Sequence, residues 1–229
     1  RVKALQPQAA LEFLKLDLAD LESVKEAAAA FNGKYDRLDL LINNAGLMAT
    51  PEKKTAQGFD MQLGVNHFGH FAFTGLLLPS LLKTEGSRVI NVSSHAHQRG
   101  KMHFDNLQFE GNYNPLQAYF QSKLANTLFT KELQRKFEAA GSKVLSLSSH
   151  PGAAKTNLLN DNPGGLLLLL KYLRPLVDAI LSQPASVGAL STLRAAVDPE
   201  VTGGDYYEPE NGWKGYPTSN NSSELSKNT

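Results

Sequence analysis

A tyrosine and a lysine stand four residues apart in the stretch Tyr119-Phe120-Gln121-Ser122-Lys123. On a helix, that spacing puts a phenol and an ammonium on one face, with Cβ atoms about 5–6 Å apart. A neighbouring cation favours the phenolate and draws a tyrosine down from its ordinary pKa, as a proton donor and acceptor working near neutral pH requires. The pair alone is a weak signal, because two-residue motifs recur by chance. Four further polar motifs each follow an apolar run: Asp17-Leu18, Asn43-Asn44-Ala45-Gly46, Ser93-Ser94 and Pro151-Gly152. Turn chemistry also places Asn, Asp, Gly and Pro after strands, so no one motif decides the matter. Their recurrence in series is harder to assign to turns alone.

The elements that must position these residues can be read from periodicity. The apolar runs Leu11–Leu16, Leu38–Ile42, Arg88–Val92, Lys143–Leu147 and Asp205–Tyr207 read as strands. Helical patterns fill the spaces between them, over about Leu21–Phe31 with a cap at Asp20, Phe59–Leu82, Pro115–Ala140, Leu166–Leu181 and Ala185–Val197. Gly141 sits where a C-cap glycine belongs, and Gly69 and Gly75 are placed to allow close helix packing. Strands separated by helices make βαβ units, and hence a doubly wound, mostly parallel α/β sheet of the Rossmann-like kind. In such sheets ligands bind outside the carboxyl ends of the strands, where the four polar motifs fall. No repeat, linker or second core interrupts the pattern, so the 229 residues are expected to form a single domain.

Composition narrows the partners. There are 23 Lys plus Arg against 22 Asp plus Glu, a net charge of +1, and so no field that would gather nucleic acid or an anionic membrane. Cys is absent, which excludes a disulfide framework, a thiolate metal site and a cysteine nucleophile, and fits a cytoplasmic setting. The longest aliphatic run, Leu166–Leu170, is far short of a transmembrane segment. With Lys171 and Arg174 following, that run is compatible with peripheral membrane association, and more so with an apolar cover over a substrate.

The order Asn43-Asn44-Ala45-Gly46, Asn66, Ser94, Tyr119, Lys123, Pro151-Gly152 resembles the short-chain dehydrogenase/reductase family. The stretches Val65–Phe71, Val92–His97, Ser122–Asn126 and His150–Thr156 are similar to its retinol dehydrogenase and WW-domain oxidoreductase branch. The resemblance covers about residues 10–210 and implies an oxidoreductase acting on CH–OH or C=O groups with NADP, or NAD, as cofactor. It implies Tyr119 as general acid/base, and Lys123 holding the nicotinamide ribose and keeping the tyrosine pKa low. Ser94 would bond the substrate oxygen, and Asn66 would support a proton-relay water. Asp17 and Leu18 would lie by the adenine, Asn43, Ala45 and Gly46 along the cofactor groove, Pro151 and Gly152 by the nicotinamide, and Thr156 by its carboxamide or phosphate. It also implies a small lipophilic alcohol or carbonyl as substrate, retinoid-, steroid- or lipid-like, with residues 160–183 covering it. The family's glycine-rich turn after its first strand has no counterpart in Arg1–Ala10. The chain therefore reads as lacking an N-terminal βαβ portion, with both ends cut. Oligomeric state is not legible.

Two rival readings are weaker. His67 with His70, and His95 with His97, invite a metal site, but nothing in the spacing brings three ligands together; no metal is expected, and His95 and His97 read as pocket-mouth or solvated residues. A non-catalytic dinucleotide-binding or interaction scaffold on the same fold has no need of the Asn66, Ser94, Tyr119, Lys123 set.

Overall fold

Alternation along one strand shows how the layers are built. In the computed structural model, which describes residues 2–153 and 183–220, Val89 packs into one apolar cluster and its neighbour Ile90 into another. Successive side chains of a strand face opposite sides of the sheet, so this strand is covered on both. The strands are β1 (Leu40–Asn43), β2 (Arg88–Val92), β3 (Leu145–Ser149), β4 (Tyr206–Pro209) and β5 (Pro217–Asn220), in that spatial order. β1 to β4 run parallel, and β5 joins β4 antiparallel. The doubly wound, mostly parallel α/β sheet is thus the observed fold.

A four-residue helix α1 (Val2–Leu5) precedes α2 (Leu21–Asn32), whose first turn is capped by Asp20 accepting from the Glu22 amide. Next come a short helix α3 (Met61–Leu63), a π-helical turn (Gly64–Phe68) and α4 (Gly69–Lys83). The sequence read this whole stretch as one helix. The π-turn escapes a periodicity search because it displaces the register within a single turn. α5 (Pro115–Ala139) starts with Asn114 accepting from the Leu116 and Gln117 amides and Pro115 in its first turn, and Gly141 (φ +66°) follows its end. α6 (Ala185–Val197) has the predicted limits.

Helices α2, α4 and α5 cover one face through Val24, Phe73, Leu77, Leu81, Leu133 and Phe137, whereas Ala195 and Ala196 of α6 meet Ile90, Leu147 and Tyr207 on the other. Of the two glycines expected to permit close packing, Gly69 does so: a Cβ there would stand 2.7 Å from the Leu18 carbonyl oxygen. Gly75 faces open space.

Two strand expectations change. Leu11–Leu16 forms no regular element and pairs with no strand among the described residues, and Phe13 is 88% exposed. A strand is defined by its ladder partner, and alternation alone does not supply one. Conversely, Pro217–Asn220 is not among the predicted strands yet forms β5, because the β4 edge offers it a backbone partner. Among the described residues, no helix is long and apolar enough to cross a membrane.

Candidate active site

The parallel register of β1, β2 and β3 brings their carboxyl ends to one edge: Asn43 is level with Asn91, and Val92 with Ser149. Asn44–Gly46, Ser93-Ser94 and His150–Gly152 therefore leave the sheet side by side. The Asn43 amide donates to Asn91 Oδ1 at 2.9 Å and to Thr74 Oγ1 at 3.0 Å, fixing the loop's departure. Beyond it Asn44 and Ala45 are exposed and Gly46 half-buried.

Asn66 lies in the π-turn, fully buried, and ties that loop to α5. Its Oδ1 accepts from the Leu47 amide at 2.7 Å, and its Nδ2 donates to the Leu47 carbonyl at 2.9 Å and to Ser122 Oγ at 2.8 Å. The Asn66 main-chain carbonyl accepts from His70 Nδ1 at 3.1 Å. π-turns leave carbonyls out of the regular ladder and concentrate at functional sites. Gly64 and Gly69 bracket the turn, and a Cβ on Gly64 would collide with Thr55 at 2.3 Å.

Tyr119 and Lys123 share a buried face of α5, the ammonium 5.8 Å from the centre of the phenol ring. Lys123 Nζ donates to the Val92 carbonyl at 3.0 Å, which also receives Asn126 Nδ2 at 3.3 Å. Burial lowers the Lys123 pKa to about 8, leaving it cationic at neutral pH. The expected depression of the tyrosine pKa is not found. Burial raises Tyr119 above its ordinary value, with a hydrogen-bonding approach by Ser94 pulling the other way. The physical reason is that Lys123 turns its charge to the Val92 carbonyl while both side chains are withdrawn from water. Ser94 itself caps the following 3₁₀ turn, its Oγ accepting from the Ala96 amide at 3.2 Å.

Gly46, Asn66 and Lys123 converge at one point: a Cβ on Gly46 would lie 3.0 Å from Asn66 Oδ1 and 3.4 Å from Lys123 Nζ. A bare backbone strip beside a buried ammonium, with Tyr119 one turn away, suits the hydroxyl-rich ribose at the nicotinamide end of a dinucleotide. For the pyrophosphate, no glycine-rich turn exists among the described residues.

The outlying residues place as follows. Asp17 is exposed, its Oδ1 accepting from the Ala19 amide at 2.9 Å, and buried Leu18 backs onto Gly69 of α4. Gly152 adopts φ +68°, and a Cβ there would strike the Trp213 carbonyl oxygen at 2.4 Å; Gln183 Nε2 donates to the Pro151 carbonyl at 2.9 Å. Thr156, and all but Gln183 of the expected covering segment 160–183, lie outside the described residues. His97 is 1% exposed, its Nδ1 on the Ser94 carbonyl at 2.7 Å, and so is neither solvated nor at a mouth. Sequence reasoning missed Ser122 and His70 as supports of Asn66; both stand within the stretches that carried the resemblance, but only the fold shows what they hold.

The short chain dehydrogenase family model matches residues 1–164, and the chain belongs to that family. Within it, the chain falls in the retinol dehydrogenase-like branch. It is 50% identical over 145 residues to retinol dehydrogenase 11 of Homo sapiens, covering 63% of this chain and 45% of that protein. To retinol dehydrogenase 12 of Homo sapiens it is 43% identical over 183 residues, covering 80% of this chain and 55% of that protein. The chain thus spans about half the length of these curated relatives. Among solved structures, an uncharacterized protein from Mycobacterium Paratuberculosis superposes with a TM-score of 0.78 at 38% identity, covering 99% of this chain and 73% of that one. An NADPH-bound carbonyl reductase from chicken fatty liver shares the fold, with a TM-score of 0.60 at 20% identity over 94% of this chain and 80% of that one.

Proposed function

We propose that the protein is an NAD(P)-dependent oxidoreductase interconverting an alcohol and a carbonyl on an apolar substrate of retinoid, steroid or lipid type. The observation that carries this reading is the buried Tyr119–Lys123 pair on one face of α5, with Ser94 against the phenol. A bound nicotinamide dinucleotide supplies or accepts the hydride. Tyr119 gives its phenolic proton to the carbonyl oxygen in reduction, or takes the hydroxyl proton in oxidation. Ser94 orients that oxygen, and Lys123 holds the ribose hydroxyls and balances charge as the phenol loses its proton. Asn66, locked to Leu47 and Ser122, keeps the Asn43–Gly46 loop and α5 in register so that these groups stay aligned. Asp17 and Leu18 serve the adenine end, and Pro151, Gly152 and Thr156 the nicotinamide.

The names of the relatives support a retinoid-like substrate class, as does the apolar run Leu166–Leu170, which we assign to a cover over the substrate spanning residues 160–183. Tyr119→Phe is expected to lower kcat by orders of magnitude while leaving cofactor affinity nearly intact, measured by steady-state turnover and by fluorescence titration of NADPH. Full turnover by this variant would sink the acid/base role. Deleting Leu166–Leu170 should raise KM for long-chain carbonyls more than for short ones.

A further inference from the structure

Beyond Ser94, the same sheet edge gathers a second set of side chains that proton transfer does not use. His95 opens the 3₁₀ turn after β2, His150 follows β3, and Glu208 lies on β4. β2, β3 and β4 are consecutive parallel neighbours, with Val92, Ser149 and Tyr207 level. Residues just past that level on adjacent strands stand about 4.8 Å apart. Each of the three offers one ligating atom, and these atoms lie within 4.8 Å of one another.

Two polar atoms of this group lack partners. His95 Nδ1 is 3.8 Å from Glu208 Oε2, too far for a hydrogen bond, and both are buried with no hydrogen-bond partner. Glu208 is only 5% exposed. Its other oxygen is engaged, accepting from Asn220 Nδ2 at 2.6 Å, which aims the free one. Buried carboxylates are ordinarily paired or coordinate a metal. His150 is already arranged as a ligand. Its Nε2 lies 3.0 Å from the Gly212 carbonyl and is the donor there, so Nδ1 carries the lone pair. Nδ1 accepts only a 3.2 Å contact from the Gly152 amide. A backbone carbonyl on the far nitrogen is what orients ligating histidines. Trp213 packs on His95 at 5.1 Å between ring centres.

We infer that His95 Nδ1, His150 Nδ1 and Glu208 Oε2 form a binding site for a divalent transition-metal ion of the zinc class. Two imidazoles and one carboxylate are the donor set of zinc sites that leave a fourth position open. Metal–ligand distances of about 2.0–2.2 Å put tetrahedral donor atoms about 3.3–3.6 Å apart, so the three atoms, now within 4.8 Å of one another, must close by up to about 1.4 Å, and the ion displaces the Gly152 amide from His150. His67 and His70 do not join the group: the pairs suggested by close spacing are not those that meet. The inference stands on this geometry and not on the oxidoreductase reading.

Co²⁺ titrated into the chain is the direct test. One equivalent is expected to bind with the strong visible bands of four- or five-coordinate cobalt, and one equivalent of Zn²⁺ to bleach them. His95→Gln, at a half-buried position that tolerates change, and Glu208→Gln should each weaken Co²⁺ binding about tenfold or more. X-ray absorption at the zinc edge should count two imidazoles in the wild-type complex. Only the weak spectrum of hexaaqua cobalt, unchanged affinity in both variants, or fewer than two imidazoles around zinc would each overturn the site.

Discussion

Two corners of the same sheet edge treat buried polar atoms in opposite ways. Around Asn66, every amide and hydroxyl closes on a neighbour: Leu47 is gripped at both its N–H and its C=O, and Ser122, Lys123 and Asn126 each reach a partner. Around Glu208, a carboxylate oxygen and an imidazole nitrogen face each other and bond to nothing. The first corner uses polarity to fix geometry, since a satisfied network in a low-dielectric interior is rigid. The second leaves bonding capacity unused, and an unsatisfied buried group in a native fold calls for a specific explanation, which here the proposed metal ion supplies. Truncation should therefore be costly in the first corner and harmless in the second.

Asn66→Ala is the severest break. It removes three hydrogen bonds and strands both polar groups of Leu47, so a loss of about 4 kcal/mol is expected in urea unfolding. Next comes the protonation of His70. Its pKa is lowered to about 4, chiefly by burial and also by the charge of Lys123. The unfolded chain titrates near the ordinary value of 6.5, so it binds a proton that the folded state refuses between pH 6.5 and 4. Stability therefore falls as pH drops through that window, by up to about 3 kcal/mol from this residue, and levels off below it. Replacing His70 with Gln should flatten the corresponding part of a thermal-melt pH profile. Glu208→Gln gives the smallest effect and the opposite sign. The Asn220 bond survives on an uncharged oxygen while an unpaired buried charge is removed, so metal-free protein should gain about 1 kcal/mol. A clear loss instead would show that the His95–Glu208 corner holds the fold together as it stands.

The contrast also explains what could be read in the sequence. The ends of β1, β2 and β3 and the Tyr119–Lys123 spacing are local features, written in apolar runs and in helical period, and they survive into the structure. Asn66 as a brace was not legible, because its partners Leu47 and Ser122 are chosen by the π-turn, and a one-residue register change leaves hardly a trace in periodicity. Tyr119 illustrates a different limit: spacing tells which groups are neighbours, but burial decides which way a pKa moves. Leu11–Leu16 is expected as a strand and Pro217–Asn220 is not, and both differ from the structure for one reason, that strandedness depends on a partner the segment itself does not encode. The His95, His150, Glu208 group is the extreme case, since its members meet only when three strands have been laid side by side.

β1 carries a consequence of its own. It pairs with β2 on one side, no strand flanks its other side among the described residues, and Leu40 and Ile42 remain about 40% exposed on one face. Unsatisfied amides beside a greasy surface form a seam that other polypeptide can zip onto. Any strand laid along this margin would complete the ladder of β1 and take Leu40 and Ile42 out of water.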